Sequence, residues 1–178
     1  MQGGVRSVLC ILGLAFCGLL AAGSVQAGGG MQETSAGNVD ISVVIGGRVR
    51  IFRVTDIDLS TYPGTGDLIG DSQLCVYRND SGLYNITISS DYADGSTFRV
   101  ANGTNFISYS VDFSDDQGNQ FVDVASGARL SGLVGHTFSP GCQGRNNASL
   151  DVRFSEGALQ DAAPGSYQDV ITLLVEPG

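Results

Sequence analysis

Between Val39 and Val175 the apolar residues recur at every second position in short runs, and no stretch holds a 3.6-residue period. Alternation of this kind suits strands with one face buried and the other wet. The cleanest run is Phe106–Phe113, where Ile107, Tyr109, Val111 and Phe113 share a face. Further runs are read at Arg48–Val54, Asp71–Val76, Leu83–Ser90, Thr97–Val100, Phe121–Val124, within Leu130–Phe138, and at Ala148–Phe154. Turn clusters separate them: Arg78–Gly82, Asp94-Gly95, Asn102-Gly103 and Asp115–Asn119. The best helical candidate is Glu156–Ala162, a turn or two at most, weakened by Gly157. The expectation is an all-β, immunoglobulin-like sandwich of about seven or eight short strands.

Two runs near the ends stand apart. The closing run, Ala163–Pro177, starts from a Pro164-Gly165 turn. Tyr167, Asp169, Ile171, Leu173 and Val175 fall on one face, and Gln168, Val170, Thr172, Leu174 and Glu176 on the other. Because both faces carry apolar residues, this strand is expected inside the sandwich and not at its rim. The early run places Val39, Ile41, Val43 and Ile45 at alternate positions, between Gly28–Gly30 and Gly46-Gly47. Arg53 breaks the alternation of the run that follows, as a bulge would.

The chain of 178 residues is long enough for one domain. Residues 1–27 read as a secretory leader: Arg6 precedes a short apolar stretch from Val8 to Ala22, and Val25-Gln26-Ala27 offers small residues for cleavage near Ala27. Export agrees with the cysteines. Cys10 and Cys17 leave with the leader, and Cys75 and Cys142 remain as an even pair. A bridge between them would close a loop of about 67 residues, stabilising by about 4 kcal/mol in the chain-entropy model. A metal site would need more ligands, and His136 is the only histidine. All nine basic residues are Arg, against 18 acidic ones. Without Arg6, 8 basic residues stand against 18 acidic ones, near −10. No basic patch for nucleic acid is expected from such a balance.

Chemistry-bearing candidates are few. Asp56-Ile57-Asp58 after an apolar run resembles the nucleophile loop of aspartate-based phosphatases, but those folds need helices and a Lys, and the chain has no Lys. Asp115-Asp116-Gln117-Gly118-Asn119 lacks the alternating oxygens and distal Glu of a helix-loop-helix calcium site, and reads better as a hairpin turn. His136 has no partner for acid–base work. The Asn-x-Ser/Thr triplets at Asn79, Asn85, Asn102 and Asn147 suit a Ser/Thr/Asn-rich β sequence and call for no modification. The expectation is a protein that is not an enzyme and has no cofactor.

The leader, the alternating arm, Cys75 ahead of Asn79–Thr87, the second Cys142 and the closing Pro164–Leu173 together resemble a chaperone–usher pilus subunit, closest to the archaic branch that includes spore-coat-protein-U-like pilins. The resemblance implies an immunoglobulin-like fold short of one strand. It implies a periplasmic chaperone that lends a strand, an outer-membrane usher, and neighbouring subunits whose arms replace the chaperone. It also implies a place at the cell surface, in a fimbria that supports adhesion and biofilm formation. On this reading 28–47 is the donor arm and 48–178 the body. Val39, Ile41, Val43 and Ile45 fill pockets, while Tyr167, Ile171, Leu173 and Val175 line the closing strand and groove. Four such side chains supply on the order of 6–12 kcal/mol when fully buried, before entropy is counted. The competing reading makes Val39–Ile45 an ordinary first strand. A competing function is a secreted single-domain adhesin or glycan-binding module.

Overall fold

The computed structural model describes residues 39–178. The leader, its cleavage site near Ala27 and residues 28–38 of the arm lie outside the described residues. Val44–Gly178 forms one compact unit.

Nine strands are found among the described residues: β1 (Val49–Phe52), β2 (Leu68–Arg78), β3 (Leu83–Ser90), β4 (Phe98–Asn102), β5 (Asn105–Asp115), β6 (Gln120–Phe121), β7 (Arg129–Val134), β8 (Ala148–Phe154) and β9 (Ile171–Pro177). A single helical turn, α1 (Glu156–Gln160), is capped by the Ser155 side chain, which accepts from the Ala158 N–H. The strands form two antiparallel sheets. The larger runs β1-β2-β8-β5-β4, with β6 added to β5, and the smaller runs β7-β3-β9. Between them lies the core, where the alternation predicts it: Leu74 and Val76 of β2, Tyr84, Ile86 and Ile88 of β3, Val111 and Phe113 of β5, Leu130 and Leu133 of β7, and Leu150, Val152 and Phe154 of β8. The chain is an all-β, immunoglobulin-like sandwich.

Local chemistry explains several boundaries. The β4–β5 hairpin turns through Gly103 at φ 60°, a left-handed conformation that glycine adopts without strain. Arg53 also takes a positive φ, 67°, and β1 ends just before it, so the strand stops where the sequence suggests a bulge. The chain then runs past β2. The Ser72 hydroxyl donates to the Thr55 carbonyl (2.8 Å) and accepts from its N–H (3.0 Å). Gly70 admits the close passage: a Cβ there would lie 2.6 Å from Ile57 and 2.6 Å from Leu59. Cys75 of β2 is bridged to Cys142, with Cα atoms 6.1 Å apart, and both are buried.

One other strand is shorter than expected. The run at Phe121–Val124 is only a two-residue strand, because the Asp123 N–H is taken by the Asp112 carboxylate and Asp123 turns to φ 48°. The strand expected within Leu130–Phe138 is β7, in the smaller sheet. After β7 the chain crosses to β2, where the His136 N–H donates to the Val76 carbonyl (2.8 Å) and the Arg78 N–H to the His136 carbonyl (2.9 Å). The Asp115–Asn119 cluster is the hairpin turn between β5 and β6.

The closing run departs most from expectation. It is not one strand inside the sandwich. Gln168 exchanges backbone hydrogen bonds with Ala101 of β4 (2.9 and 3.0 Å), while Ile171 onward pairs with β3. The run therefore changes sheets around Asp169-Val170, and β9 is the edge of the smaller sheet. Its second apolar face is solvent-exposed: Val170 and Leu174 are 58% and 55% accessible.

Candidate strand-acceptor groove

An edge strand has one row of backbone groups paired and one row free. In β9 the paired row faces β3, with Ser90↔Ile171 and Ile86↔Val175 in register. The other row has no strand partner among the described residues. β1 is in the same position in the larger sheet. It pairs with β2 from Val49↔Arg78 to Phe52↔Cys75, and its outer edge carries no strand among the described residues. The two edge strands lie beside each other without pairing.

Side chains show the same shortfall. Every other strand of four or more residues contributes a buried hydrophobic residue, but β1 and β9 contribute none. Ile171, Leu173 and Val175 of β9 and Val49 and Ile51 of β1 pack against the core yet stay half-buried. An inward-pointing apolar row that water still reaches is what a sandwich shows where a strand is missing from its seam.

Polar contacts fix both ends of this seam. At the start, the Tyr109 hydroxyl donates to the Asp169 carboxylate, and Tyr167 donates to the Ala163 carbonyl at 2.8 Å. Burial, and then the Asp169 carboxylate, push the Tyr109 hydroxyl pKa well above its ordinary value, so it remains a donor. At the far end the Gly178 N–H donates to the Leu83 carbonyl (3.0 Å), and the Asn85 amide to that of Pro177 (3.2 Å). The buried Arg78 guanidinium donates to the carbonyls of Leu83 and Gly178, the latter at 3.0 Å, and pairs with Asp80 at 2.7 Å. That hydrogen bond from Arg78 holds the Asp80 carboxyl below the usual carboxylate range.

The structure brings together Ile171, Leu173 and Val175 of the sequence-read site. It separates Tyr167, which precedes the change of sheet. Val39, Ile41, Val43 and Ile45 carry no regular secondary structure and are 84%, 91%, 83% and 73% exposed. Val44, on the opposite side of the alternation, is 94% exposed, so neither face of this run is buried. Sequence reading treats Arg78 only as part of a turn. The signal is present nonetheless, since Ser72, Leu74, Val76 and Arg78 share the inward face at a period of two. Among the described residues no group of three His, Cys, Asp or Glu side chains is placed to hold a metal ion.

No protein-family model matches the chain, and no curated protein matches it. Among solved structures, a chaperone–tip adhesin complex of CFA/I fimbriae biogenesis contains a similar chain, at a TM-score of 0.54 and 16% identity. The match covers 73% of this chain and 42% of that one, so this chain spans less than half the length of its structural neighbour. At that identity the likeness is one of fold.

Proposed function

We propose that the chain is a structural subunit of a surface fimbria, built by strand donation between copies and exported through the periplasm. The sequence resemblance extends this to the chaperone–usher route in its archaic branch, with a periplasmic chaperone, an outer-membrane usher and neighbouring subunits as partners, and with adhesion and biofilm formation as the use of the fibre. The observation that carries it is the pairing of two unmet needs. An apolar row on β9 lies half-covered on an unpaired edge beside the unpaired edge of β1, and an alternating apolar segment, Val39–Ile45, is almost wholly exposed. One copy's segment laid along another's β9 would pair the free backbone row and cover Ile171, Leu173 and Val175. The fold's likeness to a chain of a fimbrial chaperone–adhesin complex supports the same reading. The role is mechanical and not catalytic.

The test is the double substitution Ile41→Asp and Val43→Asp in the full chain. The parent should run as a ladder of multimers on an unboiled denaturing gel, and the variant as monomer with its Cys75–Cys142 bridge intact. An unchanged ladder would remove the donor role. A monomeric parent that binds a glycan would favour the adhesin alternative, for which exposed Tyr92 and Phe106, with Arg99 4.4 Å above the Phe106 ring, give a place to look.

A further inference from the structure

Each copy carries the root of its own arm at one end of the groove. β2 ends and β3 begins there, and Arg78 of β2 donates to the Gly178 carbonyl, just past β9. Gly47 lies against the same side chains: a Cβ on it would meet Asp80 Oδ2 at 3.0 Å and Arg78 Nη2 at 3.2 Å. The opposite end of the groove is the start of β9. Ile171 pairs with Ser90 there, and the Asp91 N–H donates to the Val170 carbonyl at 3.1 Å. The length of β3, Leu83–Ser90, separates the two ends by about 25 Å.

These positions favour one direction for an incoming arm. Val39–Ile45 is as long as β9, Ile171–Pro177, so the one can run the full length of the other. Laid parallel to β9, the arm would bring the donor's body to the end where the acceptor's own arm leaves. Laid antiparallel, it sets Ile45 beside Ile171 and brings the donor's body to the other end. Each root then stays clear, and every copy can both give and receive. The link is short: Arg48 comes three residues after Ile45, a reach of at most about 11 Å. At that reach the two folded bodies must meet.

The two ends that would meet are complementary. At the start of β9, Val170 and Tyr92 are exposed, and exposed Asp91 has no ion pair among the described residues. At the root end Leu83 is exposed, and exposed Arg48 likewise has no ion pair among the described residues. We infer that Val170, Asp91 and Tyr92 form a docking surface for a second copy of this chain. It receives the root end of the copy whose arm fills the groove, with that copy's Arg48 set against Asp91 and its Leu83 against Val170. The inference rests on the strand-donor reading above and adds a contact between bodies to it. Such a contact is heterologous, one end on the opposite end, and so repeats along an open fibre. It forms after the arm is seated. An exposed ion pair adds little to the grip, so the contact sets the angle between successive bodies.

The experiment places thiols by Arg48→Cys with Asp91→Cys in one full chain, lets it assemble, and adds a short bismaleimide that cannot span the two ends within one molecule. After boiling, covalent multimers should exceed those of either single variant about tenfold, because contact raises the local thiol concentration. Monomer alone after boiling, from a ladder intact before it, would overturn the contact and leave strand donation standing. A ladder that survives Ile41→Asp with Val43→Asp removes strand donation and the contact with it. Should the thiol variant not assemble, charge reversal decides. Asp91→Arg should shorten the persistence length of the fibres in electron micrographs about twofold, and adding Arg48→Asp should restore it. Fibres of parental stiffness from Asp91→Arg would refute the docking surface.

Discussion

Asp115 shows how a residue that looks like a ligand can be wholly occupied by the fold. Its Oδ1 accepts from the N–H groups of Gln117 and Asn119, each at 3.0 Å. Its Oδ2 accepts from the Asn119 amide at 2.7 Å and the Val134 N–H at 2.8 Å. It therefore ties the β5–β6 turn in one sheet to the end of β7 in the other. Burial works to raise its pKa, but these four donors outweigh burial and hold the carboxyl below its ordinary value. A lowered pKa means that the contribution is present above the unfolded-state value and is lost as pH falls through the folded one. Asp115→Asn should cost about 1–3 kcal/mol at neutral pH. The gap from the parent should close in acid, below about pH 4. Denaturant melts at pH 7 and pH 3 check this, and a gap that widens in acid would contradict it. Tyr84 gives the opposite case. Its hydroxyl is buried with no hydrogen-bond partner among the described residues. Tyr84→Phe should therefore leave stability unchanged or raise it by up to about 1 kcal/mol, because no bond is lost and a desolvation cost is removed. A loss of more than about 1 kcal/mol in the same melts would show a missing partner.

At the scale of the element, β9 marks how far alternation can be read. The interior strands were legible because their apolar faces meet a partner: Leu83–Ser90 and Ala148–Phe154 form over those same residues. The period of two in the closing run was equally plain, and it separates half-buried Ile171, Leu173 and Val175 from exposed Thr172, Leu174 and Glu176. What alternation does not encode is which strand lies alongside. Val170 and Leu174 made both faces look buried, but sheet order places β9 at an edge, and a pairing over nearly ninety residues with β3 decides that order. Arg78 reads as a turn residue because it opens the polar Arg78–Gly82 cluster, although it is also the last inward position of β2. The two faces of β9 now carry different predictions. Leu173→Asp puts a charge in the row that an incoming strand would cover, so it should abolish the multimer ladder. Leu174→Asp lies on the exposed face and should leave the ladder intact, with stability within about 0.5 kcal/mol of the parent. Equal effects of the two substitutions on an unboiled gel would mean that the inward face of β9 receives nothing.

The proposed assembly would bring whole molecules together, and there net charge matters. With 18 acidic residues against nine Arg, every copy approaches every other as a like-charged body. The proposed strand donation would draw on apolar burial and backbone pairing once the arm arrives, so charge would act mainly on the approach. The Debye length falls from about 30 Å at 0.01 M salt to about 8 Å at 0.15 M. Repulsion acting over a distance comparable to the domain at low salt is thus confined to near-contact at physiological salt. The rate at which purified chain forms multimers should rise several-fold between these conditions, and the finished ladder should resist denaturing detergent equally at both. Sodium chloride suits the test because strongly excluded salts such as sulfate also strengthen apolar burial and would mix the two effects. A rate that falls with added salt would mean that oppositely charged patches steer the encounter. The apolar row on β9 would then not be the first surface to meet the arm, since shielding like charges can only ease an approach that repulsion limits.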